Sequence, residues 1–63
     1  MSFKVLDLRV GTYLQQEDIY GRIFDAIYQS RYDAEASIQD VCNFDKYIAH
    51  EKLRPYYFEV IEL

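Results

Sequence analysis

Residues 22–35 read Arg22-Ile23-Phe24-Asp25-Ala26-Ile27-Tyr28-Gln29-Ser30-Arg31-Tyr32-Asp33-Ala34-Glu35, and the fold turns on how the first half of this stretch is read. The second half is a helix start. Ser30 occupies the position of an N-cap residue, and Asp33 three places on completes a capping-box-like pair, with Asp in place of the usual Glu or Gln. Asp33 and Glu35 in the first turn suit the positive end of the helix dipole. Ala34, Ile38, Val41 and Cys42 then recur as one apolar stripe, extendable to Ile48 and Ala49, with Glu35, Gln39 and Asp40 on the other side.

What precedes Ser30 admits two readings. Over residues 17–29, Ile19, Ile23, Ala26 and Ile27 fall at i, i+4, i+7 and i+8, the spacing of a helix stripe. Gly21 in the interior and the aromatics Tyr20, Phe24 and Tyr28 oppose it. The strand reading begins after Gly21 and places Phe24, Ala26 and Tyr28 on one face, with Ile23, Asp25 and Ile27 on the other. A helix here would have to end and restart within a residue or two at Gln29. A strand running into the Ser30 cap needs only a short connection, so the strand is preferred over residues 22–28.

Working outward, Phe3-Lys4-Val5-Leu6-Asp7-Leu8 is rich in strand formers and meets a turn at Arg9-Val10-Gly11-Thr12. Gly11 supplies the positive φ that the turn needs, and Thr12-Tyr13-Leu14-Gln15 returns as the second strand of a hairpin. Towards the other end, the helix is expected to fade between Asn43 and His50, where Lys46, His50 and Lys52 sit against its negative end. Pro55 stops any helical run. Residues 56–63 read as a final strand, with Tyr56, Phe58 and Val60 on one face and Tyr57, Glu59 and Ile61 on the other. The expected architecture is α+β: a small antiparallel sheet (β-hairpin, strand, C-terminal strand) packed against one main helix. One domain covers residues 1–63.

Size and composition bound the rest. A chain of 63 residues has a thin core and buries only about 60% of its unfolded surface. An apolar fraction of 51% is ample for folding, and aromatics reach 17%, with seven Tyr and four Phe. That excess serves either a short core or an interface anchored on Tyr. Formal net charge is −4, and the seven basic residues are scattered, which disfavours direct nucleic-acid binding. No apolar run approaches the ~18 residues of a membrane span, and Met1-Ser2-Phe3-Lys4 lacks the features of a secretory signal, so the expected location is the cytoplasm.

The search for chemistry yields exclusions. The single Cys42 cannot form an intramolecular disulfide, and Cys42 with His50 is too small a set for a structural zinc site. His50 lies in a polar stretch beside Glu51 and Lys52. Ser2, Ser30, Ser37, Thr12 and Cys42 stand in no nucleophile motif. The pairs Asp40 with Asp45 and Glu17 with Asp18 lack calcium-loop spacing, and two glycines cannot build a phosphate-cradling loop. The expectation is therefore no enzyme, no metal and no cofactor. For protein contact, Tyr47, Tyr56 and Tyr57 are candidate anchors, and Asp33, Glu35, Asp40 and Asp45 are the acidic candidates.

Five pieces of the chain together resemble a loose class of short accessory proteins of tailed phages. They are Lys4-Val5-Leu6-Asp7-Leu8, Gly11-Thr12-Tyr13-Leu14, Gly21-Arg22-Ile23-Phe24-Asp25, the capped Ser30-Arg31-Tyr32-Asp33-Ala34-Glu35 and the final Tyr57-Phe58-Glu59-Val60-Ile61-Glu62-Leu63. The resemblance implies a phage-encoded product, in a group that includes inhibitors of host enzymes and of defence systems. It carries over no functional residue. The expected function is a non-enzymatic protein-binding module that inhibits a host or defence protein by stoichiometric binding. The alternatives are a self-associating module, such as a homodimer paired through a C-terminal strand edge, and an acidic mimic that occupies a DNA- or RNA-binding site.

Overall fold

The computed structural model describes residues 1–45 and 53–63. Alternation builds its central strand, β1 (Phe3–Asp7), in which Phe3, Val5 and Asp7 are buried while Lys4 and Leu6 turn to the opposite face. β2 (Thr12–Tyr13) pairs antiparallel with β1 in the register Leu6 to Tyr13 and Asp7 to Thr12. The last strand in the chain, β5 (Phe58–Glu62), covers the other edge of β1 along its whole length, from Phe3 opposite Glu62 to Asp7 opposite Phe58. The sheet order is β2-β1-β5.

The middle of the chain departs from this sheet. β3 (Gln15–Glu17) and β4 (Ile23–Asp25) form a separate two-stranded ribbon. Leu14 is the point of departure: its N–H donates to the Val5 carbonyl at 2.8 Å, while its own carbonyl accepts the Ala26 N–H at 2.9 Å. The chain leaves β1 at Leu14, travels out and back, and rejoins β1 at Tyr28, which exchanges two backbone bonds with Phe3 at 2.8 and 2.9 Å. Residues 15–25 are thus a hairpin arm standing off the sheet edge. The strand expected over residues 22–28 is confined to Ile23–Asp25 and contributes only the Tyr28 bridge to the main sheet.

Two turns use the same device. Asp7 ends β1, and its carboxylate accepts the Arg9 N–H at 3.0 Å, Arg9 Nε at 3.1 Å and Arg9 Nη2 at 2.9 Å. The Asp7 carbonyl accepts the Gly11 N–H, and Gly11 takes φ +75° to close the turn. At the tip of the arm, Asp18 accepts the N–H groups of Tyr20 and Arg22, both at 2.9 Å, and Arg22 Nε at 2.8 Å. Gly21 takes φ +81° there. In each case a short acidic side chain mimics a backbone acceptor and an arginine fixes its charge.

The helix, α1 (Arg31–Asp45), begins as its sequence predicts. Ser30 Oγ accepts the Asp33 N–H at 3.1 Å, which satisfies one of the orphan first-turn donors, and the Ser30 carbonyl accepts the Ala34 N–H at 3.2 Å as the first regular helix bond. Ala34, Ile38 and Cys42 bury the apolar stripe against Phe3 and Val5 of β1, Phe58 of β5, and Leu53. Burying a side chain the size of Ile38 contributes about 1.5–3 kcal/mol. The Tyr28 hydroxyl bonds Ser37 Oγ at 2.7 Å and ties the end of the arm to the middle of α1. The α+β arrangement, with an antiparallel sheet packed on one main helix, is as expected. The extension of the stripe to Ile48 and Ala49, and the charges Lys46, His50 and Lys52, lie outside the described residues.

The final strand starts later than alternation alone implies. Pro55–Tyr57 is a 3-10 turn, and β5 begins at Phe58, whose N–H donates to the Pro55 carbonyl. Proline pre-sets φ for the first position of a helical turn as readily as it opens a strand. Tyr56 and Tyr57 therefore belong to a turn and not to the two faces of the sheet. Their rings meet edge to face, with centroids 4.9 Å apart.

Candidate functional site

Among the described residues, four of the large hydrophobic side chains that the fold leaves outside (Ile19, Tyr20, Ile23 and Phe24) lie on the arm and Ile27 lies just past it, while Met1, Leu8, Val10, Tyr32, Tyr56 and Leu63 are exposed elsewhere. Ile19 is 91% exposed, Tyr20 77%, Ile23 67%, and Phe24 and Ile27 45% each. The reason lies in the composition of the two paired strands. β4 brings Ile23 and Phe24, but its partner β3 is Gln15-Gln16-Glu17, so the ribbon has no apolar mate on either face. A two-stranded ribbon also has no second layer of its own. Ile19 and Tyr20 sit at the tip because Asp18 and Gly21 occupy the two positions with special turn geometry. Ile23 and Phe24, successive residues of β4, turn to opposite faces, so the arm carries exposed apolar groups on both faces and at its tip, a surface feature that suits a contact site.

The arm is held by charge pairs that leave little unbalanced charge on it. Lys4 Nζ on β1 donates to Asp25 at 3.0 Å, and Gln15 Nε2 reaches the other oxygen at 3.5 Å. The Lys4 bond, helped by Gln15 and opposed by partial desolvation, holds the Asp25 carboxyl below its ordinary value. Lys4 also stands 4.8 Å from the centre of the Tyr13 ring, which fixes the base of the arm. At the tip, Asp18 is likewise held low, chiefly by the Arg22 N–H, with desolvation opposing and the Arg22 guanidinium and Tyr20 N–H assisting. The Arg22 guanidinium lies 5.4 Å from the centre of the Tyr20 ring. Ionic and aromatic contacts thus stiffen a hairpin whose apolar groups face outward.

No family model, no curated protein and no solved structure matches the chain.

The residues expected to make protein contacts are scattered over the molecule. Asp33, Glu35 and Asp40 are exposed on α1. Asp33 and Asp40, seven residues apart, share one side of the helix, and Glu35 points nearly opposite, so the three make no single acidic face. Asp45 is the last residue of α1. Tyr47 lies outside the described residues. Tyr56 is 72% exposed, and Tyr57 is half-buried beneath the Arg9 guanidinium, 5.4 Å from its ring centre. Among the described residues, Tyr56 is the one expected aromatic anchor that the fold presents openly. Sequence reasoning missed Ile19, Tyr20, Ile23, Phe24 and Ile27. The available signal was the all-polar run Gln15-Gln16-Glu17, the nearest partner for an apolar strand across a Gly21 turn.

Among the described residues, no group of three or more His, Cys, Asp or Glu is gathered to hold a metal, and no cavity opens. No helix among them is long and apolar enough to cross a membrane.

Proposed function

We propose that this chain is a non-enzymatic protein-binding module that docks through the hairpin arm and acts by stoichiometric occupation of its partner. The observation that carries the reading is the exposure of Ile19, Tyr20, Ile23 and Phe24 on a braced ribbon. Aromatic and large aliphatic groups at the centre of a contact supply most of its binding energy, and a rigid carrier lowers the ordering cost. Asp18 and Asp25 are each paired within the molecule, to Arg22 and to Lys4. The contact is therefore apolar in character, and its partner presents an apolar cleft wide enough for a two-stranded ribbon. The resemblance to short tailed-phage accessory proteins supplies the setting: the partner is a host or defence-system protein in the host cytoplasm, and binding inhibits it.

Affinity capture from host lysate, with tagged protein and mass-spectrometric readout, tests this at low and at moderate salt. The tagged Ile19→Ser/Phe24→Ser double variant is run alongside. Near-stoichiometric recovery of one protein at both salts, abolished in the variant, is the expected result, since an apolar contact is little screened. Recovery of the same partner by the variant sinks the assignment of the arm. Recovery only at low salt, chiefly of enzymes that handle nucleic acids, points instead to acidic mimicry.

A further inference from the structure

β5 is the outer strand of its sheet, and half of its main chain faces outward. The Leu8 N–H donates to the Tyr57 carbonyl and the Leu63 N–H to the Ser2 carbonyl, both at 2.8 Å. In an antiparallel pair the bonding residues alternate, so 57, 59, 61 and 63 bond inward to β1 while 58, 60 and 62 turn their polar groups away from it. The Phe58 N–H is already engaged by the Pro55 carbonyl. The N–H and C=O groups of Val60 and of Glu62 remain, two matched donor–acceptor sets two residues apart, with no partner among the described residues. Natural edges are usually blunted by charged side chains, Lys above all, by Pro or by a bulge. Phe58-Glu59-Val60-Ile61-Glu62 has no Lys, Pro or bulge, and its two charges are Glu59 and Glu62.

We infer that β5 pairs antiparallel with β5 of a second copy, about a two-fold axis at Ile61. Three two-fold registers keep the outward groups in use, and the observations select one. An axis at Glu59 sets the two Glu59 carboxylates directly opposite each other, which is unfavourable. An axis at Val60 needs the Phe58 N–H, which Pro55 already holds. The axis at Ile61 sets Val60 opposite Glu62 of the second copy and closes four backbone bonds using only the groups left over. Glu59 then faces Leu63, and the two Ile61 side chains meet on the face turned away from α1, beside the Lys4 that pairs with Ile61 across β1. A second copy fits better than an unrelated strand because the spacing is self-complementary, the requirement of a two-fold interface. The product is one continuous six-stranded sheet without the β5 edge. Its one penalty is electrostatic: the two Glu62 carboxylates lie on a diagonal about 7–8 Å apart, and each copy carries a net charge of −4.

Sedimentation equilibrium of the full chain, from about 10 to about 500 μM and at low and high salt, reads the association directly. The mass is expected to rise from 7.6 kDa towards twice that value, at a lower concentration in high salt because the Glu62 repulsion is screened. Val60→Pro deletes an outward donor that β1 does not use, and Ile61→Lys places two like charges at the axis. Each is expected to remain monomeric at every concentration, with the far-UV spectrum unchanged; Ile61→Lys serves if Val60→Pro fails to fold. A wild-type chain that stays monomeric throughout overturns the inference, as do two folded variants that dimerise like the wild type. The inference is independent of the docking arm: Ile19→Ser/Phe24→Ser is expected to dimerise normally, and loss of the dimer in that variant moves the interface to the arm.

Discussion

Asp7→Asn measures how much of the fold depends on one carboxylate. The Asp7 side chain is 12% exposed and takes three hydrogen bonds from Arg9. The amide oxygen can still accept from the Arg9 N–H and Nε, which share Oδ1, but the NH2 group replaces the oxygen that accepts from Nη2, itself a donor. A hydrogen bond to a charged group contributes about 1.5–3 kcal/mol when water is excluded. The Arg9 side chain is 41% exposed, so water replaces part of what is lost, and losing the Nη2 bond together with the carboxylate charge costs about 2 kcal/mol. A 63-residue domain has a total stability of about 3–9 kcal/mol, so this is a large share. The midpoint of thermal unfolding is expected to fall by roughly 8–16 °C.

The pH dependence carries the same argument. The Arg9 hydrogen bonds, opposed by burial, hold the Asp7 carboxyl below its ordinary value. Its contribution is therefore complete above the unfolded-state pKa of about 3.9 and is lost as pH falls through the lower folded value. Urea unfolding followed by far-UV circular dichroism is expected to show the wild type well above Asp7→Asn at neutral pH. The two are expected to converge in acid, once pH has fallen below the lowered folded value and the Asp7 carboxyl is protonated. Equal midpoints at neutral pH, or an undiminished gap in acid, refute the reasoning.

Three further outcomes follow from single contacts. Ser30→Ala removes the acceptor of the Asp33 N–H and is expected to cost about 1 kcal/mol in urea unfolding, with the native helix signal retained. In Gly21→Ala the new Cβ meets only Glu17 Oε1 at an ordinary 3.6 Å, so the cost is that of φ +81°, about 1–2 kcal/mol. Hydrogen exchange should accelerate at residues 18–22 more than in β1, and uniform acceleration contradicts a local effect. Cys42 is buried in the α1 stripe, so a thiol reagent is expected to modify the native protein at least ~100-fold more slowly than the urea-unfolded chain; comparable rates contradict that burial.

The parts of the fold legible in the sequence are those in which one local signal suffices. Ser30 and Asp33 announced the helix start, and Ala34, Ile38 and Cys42 its buried face, because both signals depend only on spacing along one element. The run Phe3 to Leu8, rich in strand formers and closed by the Gly11 turn, likewise identified β1 from local signals. The arm was not legible, because it depends on a change of partner. Leu14 bonds Val5 through its N–H and Ala26 through its carbonyl, and alternation reads the same whichever strand lies alongside. Tyr56 and Tyr57 were misplaced because Pro55 signals a helical turn and a strand start equally well. The acidic candidates Asp33, Glu35 and Asp40 were chosen for charge alone, whereas the arm stands out through what Ile19, Tyr20 and Phe24 lack: a covering layer, which is a property of tertiary structure.

The assignment of the arm as the docking surface is tested most directly by hydrogen–deuterium exchange of the chain, free and bound to the partner recovered by capture. Binding is expected to slow exchange at residues 15–27, with the exposed side of α1 unchanged. Protection confined to α1 around Asp33, Glu35 and Asp40, with the arm exchanging as in the free protein, contradicts the account.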